Sequence, residues 1–339
     1  MTPLEEPTSA AVRALPAQAT APPLTVSVVV CVYTEKRWSE IRMALASLAE
    51  QTLRPTQVIV VTDHNPSLAE RLTALYPALD VIPNEYSRGL SGARNTGIEH
   101  ADGDVVAFLD DDARAEPRWL ETVLASYADD SILGVGGMVL PDWATGQRPR
   151  WLPPEFLWVV GCSYRGLPDG KADIRNPIGA NMSFRRSAFK LAGLFCPSIG
   201  RTANSARPLG CEETEFSIRL LEASGSGRII HDPQAVVHHL VPRSRATWRY
   251  FLARCYAEGC SKAYVAQLSG AKAALSSERY YLLHALAPAF RRDIEELFRA
   301  SRRDALGRIA ASALGVSWTV AGYLRVQLAS FVRYPRRSQ

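Results

Sequence analysis

The sequence predicts an α/β fold with a mostly parallel sheet, continued at its C-terminal end by a layer of helices. Three observations carry this expectation. Runs of β-branched residues without polar alternation recur between helical periods from Thr25 to Leu109, the pattern of strands buried on both faces. Polar clusters close those runs, at the carboxyl strand ends where such sheets bind ligands. Beyond Thr247 the pattern is helical throughout.

The elements follow in order. Val26–Val32 reads as a first strand ending in Tyr33-Thr34-Glu35, and Ile41, Ala44, Leu45 and Leu48 mark the helix after it. Residues 58–62 form a second strand ending in Asp63-His64-Asn65, followed by a helix over 67–76. A short strand at 79–82 leads through a Gly-rich loop into a helix at 93–99. The fourth strand, 104–109, runs into Asp110-Asp111-Asp112. After residues 134–140 the alternation breaks into a Pro/Trp-rich stretch, 141–154. A second segment, 141–240, carries Glu212-Glu213-Thr214-Glu215 and a strand-like Val236-Val237-His238-His239.

The 339 residues, 47% of them hydrophobic, accommodate one large domain with an appendage or two modest ones. A net charge of +5 is too mild to point to nucleic acid. Arginines concentrate late, at positions 291, 292, 299, 302, 303, 308, 325, 333, 336 and 337. Interleaved with apolar residues, they suit an anionic membrane face, an acidic partner or a solvated helix face. Six cysteines show no metal-ligand spacing, and Cys31, inside the first strand, reads as a small hydrophobe. This is the usage of a reduced, cytoplasmic-side protein. Residues 1–24 are Pro/Ala/Thr-rich without the apolar core of a signal peptide and read as a disordered leader. The uncharged stretch 309–324 falls short of the ~20 residues of a membrane span, so a packed or interfacial helix is expected.

The acidic triplet is the sharpest chemical signal. Three like charges at a strand end repel one another and are costly to desolvate. A hard divalent cation, Mg²⁺ or Mn²⁺, compensates them and bridges to substrate phosphates. An acidic, solvated turn capping a helix near Pro117 is the plainer alternative.

The order Tyr33-Thr34-Glu35, Val61-Thr62-Asp63, Ala93-Arg94-Asn95-Thr96-Gly97-Ile98, Phe108-Leu109-Asp110-Asp111-Asp112 and Glu212-Glu213 resembles the family 2 glycosyltransferases of GT-A fold, over residues 24–240. Within that family, Trp151 to Arg165 and Pro242-Arg243-Ser244-Arg245 look most like prokaryotic glucuronosyl- or glucosyltransferases acting on lipid-linked sugars. The resemblance implies a Rossmann-like nucleotide-sugar half at 25–140 and an acceptor half at 141–246, with 247–339 an Arg-rich helical extension. It also implies a UDP-sugar donor, a Mn²⁺ or Mg²⁺ cofactor, a lipid-linked or cell-envelope saccharide acceptor, and work at the inner face of the cell membrane.

Residue by residue, the resemblance places Tyr33, Thr34 and Glu35 around base and ribose. Asp63 accepts from a pyrimidine N3–H or else caps the next helix. Arg94 approaches the nucleotide or buttresses the triplet. Asp110 reaches the ribose hydroxyls and Asp112 binds the metal, while Asp111, grouped with the donor contacts, would point the other way in an extended segment. His239 completes the metal shell, with His238 on the opposite side. Glu213 stands where the family has an aspartate as general base, with Glu212 and Glu215 as competitors. Trp143, Trp151 and Trp158 are available for sugar stacking or for packing. The alternatives are a nucleotide-sugar-binding scaffold without turnover, and a sugar nucleotidyltransferase. The latter is disfavoured because Tyr33-Thr34-Glu35-Lys36 stands where its Gly-rich loop belongs.

Overall fold

A computed structural model describes residues 24–200, 210–298 and 302–333. Residues 1–23 of the expected leader, and Arg299, Arg336 and Arg337 of the basic tail, lie outside the described residues.

The first half alternates β1 (Val26–Val32), α1 (Trp38–Ala49), β2 (Gln57–Thr62), α2 (Pro66–Leu75), β3 (Asp80–Pro83), α3 (Leu90–Glu99) and β4 (Val105–Leu109). Strands β3-β2-β1-β4 lie side by side and all run parallel. Successive residues of each strand feed opposite layers, which explains the unbroken apolar runs. Val28, Val30, Val60 and Ala107 pack with Ile41, Leu45 and Leu48 of α1 and Leu68 and Leu72 of α2. Val29, Ile59, Val61, Val106 and Phe108 pack on the other side with Ala93 and Ile98 of α3. Asn65 caps α2 by accepting the Leu68 N–H, and Pro66 follows at the first helical position.

The second half comprises β5 (Ala113–Ala115), α4 (Trp119–Ser126), β6 (Ile132–Trp143), a 3₁₀ turn at Pro154–Val160, β7 (Ala172–Asp173), β8 (Asn181–Arg185), α5 (Arg186–Ala192), α6 (Glu212–Ser224) and β9 (Arg228–Val241). Here the sheet is mixed. β8 runs antiparallel between β4 and β6, β6 and β9 are parallel, and β5 and β7 pair antiparallel with β9. Phe184, Phe189, Phe195 and Phe216 join α5 and α6 to the sheet through ring centroids 4.9 to 6.1 Å apart.

Helices α7 (Trp248–Ser269), α8 (Ala271–Ala274), α9 (Ser276–Tyr281), α10 (Ala287–Leu297) and α11 (Arg302–Arg333) complete the chain, with a π-helical segment at Leu282–Leu286. Thr247 caps α7 by accepting the Tyr250 N–H. These helices pack onto the α/β part through Leu152, Phe156, Phe251, Leu286 and Ala311. A stacked Trp151–Trp248 pair, centroids 4.3 Å apart, joins them. Fully buried Glu155 accepts from Arg292, and fully buried Asp293 from Arg308. At 32 residues α11 is about 48 Å long. Its stretch Arg302–Ala329 meets the length and composition of a membrane span, against the shorter run expected from 309–324.

Candidate active site

The site begins at the carboxyl ends of β1, β2 and β4. The chain turns sharply after Asp63, with His64 at φ 52°, and Asp63 donates its N–H to the Val32 carbonyl at 2.7 Å. Asn65 caps the helix, so the Asp63 carboxylate is not the cap. It accepts instead from Asn84 Nδ2 at 2.7 Å and from the Gly89 N–H at 3.1 Å. Gly89, at φ 142°, holds a backbone that side chains disfavour and presents its N–H to the cavity wall.

The triplet is not extended. The Ala113 N–H closes a turn onto the Asp110 carbonyl at 3.0 Å. Asp111 would point away from its neighbours only in an extended segment, and that condition is not met here. Arg37 Nη1 contacts Asp111 Oδ1 at 2.5 Å and Asp112 Oδ2 at 3.2 Å. Burial pushes the Asp111 carboxyl up, with Arg37 opposing.

The antiparallel register of β5 on β9 sets Ala113 opposite His239, and the Leu240 N–H donates to the Asp112 carbonyl at 2.9 Å. His239 Nε2 thus stands 3.2 Å from Asp112 Oδ1, while its Nδ1 lies 3.7 Å from the Cys162 thiol. His238 faces the other way, to Glu116 at 3.0 Å. Burial alone would raise Asp112, but His239, Arg37 and Arg245 hold it well below the usual carboxylate range. Burial would lower His239, and Asp112 instead raises it to about 10. Asp110, Asp112 and His239 offer ligand atoms within 4.8 Å of one another. Two carboxylate oxygens and one imidazole suit Mn²⁺ or Mg²⁺, so the residues fit the implied ion.

Arg94, buried on α3, donates to Glu212 Oε1 at 2.8 Å and to the Gly179 carbonyl at 3.1 Å, and reaches Asp110 Oδ1 at 3.5 Å. Its role here is to join the triplet to α6. In the first turn of α6, Glu215 forms a two-pronged pair with Arg219 and stands outside the cavity lining. Glu212 is committed to Arg94. Glu213 lines the cavity, and no ion pair among the described residues engages it. Burial and then the adjacent Glu212 push its carboxyl up to about 8.

One cavity of about 1630 Å³ holds Tyr33, Asp63, Arg94, the triplet, Glu212, Glu213 and His239. Thr34 and Glu35 are not in its lining. Thr34 accepts from the Lys36 N–H in the turn after β1, and Glu35 from Asn65 Nδ2 at 3.0 Å. Cys31, read as buried core, is half-buried and lines the cavity. Of the three tryptophans only Trp158 is in the wall; Trp151 is stacked on Trp248 and Trp143 packs against the core. Sequence reasoning did not place Arg37 in the site and met Arg245 only within the segment Pro242-Arg243-Ser244-Arg245; both face Asp112 from the 3₁₀ turns that follow β1 and β9. It also missed Arg175, Glu258, Lys262 and Glu278, whose spacing reads only as helix surface or loop.

The model of glycosyl transferase family 2 matches residues 27–192. The glucosyl-dolichyl phosphate glucuronosyltransferase of Haloferax volcanii is 35% identical over 243 residues, covering 70% of this chain and 76% of that protein. The chain belongs to glycosyltransferase family 2. The succinoglycan biosynthesis protein ExoM of Rhizobium meliloti is 28% identical, over 70% of this chain and 73% of its own. The fold is GT-A. A mannosyltransferase of Pyrobaculum calidifontis, solved with GDP-Man and Mn²⁺, superposes with a TM-score of 0.56 at 18% identity, over 89% of this chain and 87% of its own. The protein is accordingly a glycosyltransferase with a nucleotide-sugar donor.

Proposed function

We propose that this family 2 glycosyltransferase is metal-dependent and inverting, and moves a hexose from a UDP-sugar to a lipid-linked or cell-envelope saccharide at the inner face of the cell membrane. The observation that carries the reading is that the wall of one cavity holds Asp110, Asp112 and His239, with ligand atoms close together, and Glu213 as well. The Haloferax relative, by its name, acts on a dolichyl phosphate-linked sugar, which supports the acceptor class.

In this reading Asp63 accepts from the base, and Tyr33 forms part of the same wall. Asp112 and His239 would hold the divalent ion, with Asp110 joining them in place of the ribose contact expected for it, and the ion would supply positive charge to the donor diphosphate. Glu213 takes the proton of the acceptor hydroxyl. That oxygen forms a bond to the anomeric carbon from the face opposite the diphosphate, whose bond breaks as it leaves with the electron pair. Arg37 and Arg245, beside Asp112, add fixed positive charge where negative charge develops. One displacement inverts the configuration.

The test is a panel of UDP-glucose, UDP-glucuronate, UDP-GlcNAc, UDP-galactose and GDP-mannose, with and without Mn²⁺, against Asp112→Ala. Metal-dependent binding of one UDP-sugar, lost in the variant, is the expected result, with a β product from the α donor. An α product removes the inverting mechanism, and binding without turnover on any acceptor favours a scaffold.

A further inference from the structure

Resting on the lipid-linked acceptor reading, we propose that the C-terminal helices build a lateral portal through which the apolar chain of an isoprenoid-phosphate acceptor enters the catalytic cavity from the bilayer.

Helix α11 is inverted in its amphipathicity. Its inward face is small, with Ala305, Ala311, Gly315 and Gly322 buried, while Leu314, Trp318, Leu324 and Leu328 stand exposed at helical spacing. A water-facing helix has the opposite pattern. The small face lets α11 lie against α7: a Cβ on Gly322 would stand 2.1 Å from the Tyr256 carbonyl, and one on Gly259 would strike the Thr319 carbonyl. A helix packed in this way along α7, and against Phe156 and Phe251 through Gly315, turns its small face to the protein and its large residues outward. Exposed Arg279, Arg302, Arg303 and Arg325 on α9 and α11 supply the cations that an anionic lipid surface favours.

The apolar face runs into the cavity. Tyr280, Leu282, Val320 and Leu324 line it and are at the same time 59%, 44%, 50% and 50% exposed. Leu282 opens the π-helical segment, a local widening that recurs at functional sites. The same cavity is also lined by a charged cluster. Lys262 pairs with Glu258 at 3.3 Å and with Glu278, Arg175 pairs with Glu278 at 3.0 Å, and Arg254 stands 3.7 Å from Glu258. Lys262, Arg175 and Arg254 thus bring N–H donors on three cations to that wall, the chemistry that takes a phosphate at the head of an apolar chain. One cavity therefore presents, in chemical terms, lipid chain, phosphate, general base and donor sites.

Full-length protein on phosphatidylcholine–phosphatidylglycerol vesicles, irradiated with a long-chain isoprenyl phosphate bearing a diazirine on an isoprene unit near the phosphate, tests the portal. Label on peptides containing Leu282, Val320 or Leu324 is expected. Label confined to other peptides, or none, overturns the proposal. Leu324→Trp, a bulkier residue at a half-exposed position, lowers labelling roughly tenfold, the equivalent of about two buried methylenes; unchanged labelling of the same peptides in that variant counts against the portal. Calorimetric donor binding with Mn²⁺ on the same preparation reads the transferase assignment separately. Donor binding without portal label sinks the portal alone, and label without Mn²⁺-dependent donor binding supports the portal and overturns the metal-dependent UDP-sugar reading.

Discussion

Arg94 on α3 and Glu212 on α6, 118 residues apart, meet in a buried ion pair at 2.8 Å. The pair ties the donor-side helix to the helix that carries Glu213, and the same guanidinium reaches Asp110. Glu212 Oε2 has no hydrogen-bond partner among the described residues, so Arg94 is the main compensation for its charge.

Removing Arg94 therefore leaves an uncompensated buried carboxylate. Arg94→Met is expected to destabilise the protein by about 3–5 kcal/mol in urea unfolding. The double variant Arg94→Met/Glu212→Leu recovers most of that loss, because the orphaned charge goes with it. Turnover is lost in both, since Asp110 and α6 are no longer held together.

His239 and His238 offer a paired control for the metal site. His239→Gln removes a group facing Asp112 at 3.2 Å and is expected to cut Mn²⁺-stimulated turnover by roughly 10²–10³, the scale of one contact to developing charge. His238→Gln removes a side chain paired with Glu116 on the side away from Asp112 and leaves turnover within about twofold of wild type. Manganese binding followed by electron paramagnetic resonance separates the two; equal losses would remove His239 from the ligand set.

The strands leading to Asp63 and Asp112 were legible because a parallel strand buried on both faces is apolar at every position, so the break to polar residues marks its end. The turn at the triplet was legible only as one of two alternatives, since three aspartates suit a solvated turn and a metal-binding strand end alike. Arg37–Asp111 and Arg245–Asp112 are long-range pairs, and pairing across such separations leaves no periodic trace in one sequence. The extension was readable as helical, but helical period does not say that Glu258, Lys262 and Glu278 enter a cavity wall. Only the packing of α11 on α7 determines that.

That packing makes its own prediction. Gly322→Val places a side chain where a Cβ already stands 2.1 Å from backbone, so α11 must shift off α7. An overpacking cost of about 1–3 kcal/mol is expected, with faster amide exchange confined to α7 and α11. Donor binding stays unchanged because Asp63, Asp112 and His239 lie on other elements. Exchange that accelerates equally across β1–β4 would show that the helices and sheet form one cooperative unit instead.

The raised carboxyl of Glu213 couples catalysis and stability in opposite directions. As a base it must be ionised, so kcat/KM is expected to climb with pH through about 8 rather than through the usual carboxylate range. For stability the sign reverses. Between its ordinary value of 4.5 and about 8, the folded state holds a proton that the unfolded state has lost. Stability therefore falls as pH rises through that window. Glu213→Gln removes both effects: turnover drops by roughly 10²–10⁴, the range for a positioned base, while its melting temperature exceeds that of wild type by a margin that widens from pH 5 to about 8. A Gln variant that is inactive yet no more stable at pH 8 would mean that Glu213 ionises as an ordinary carboxylate, and the rise of the pH profile through about 8 would then belong to another group.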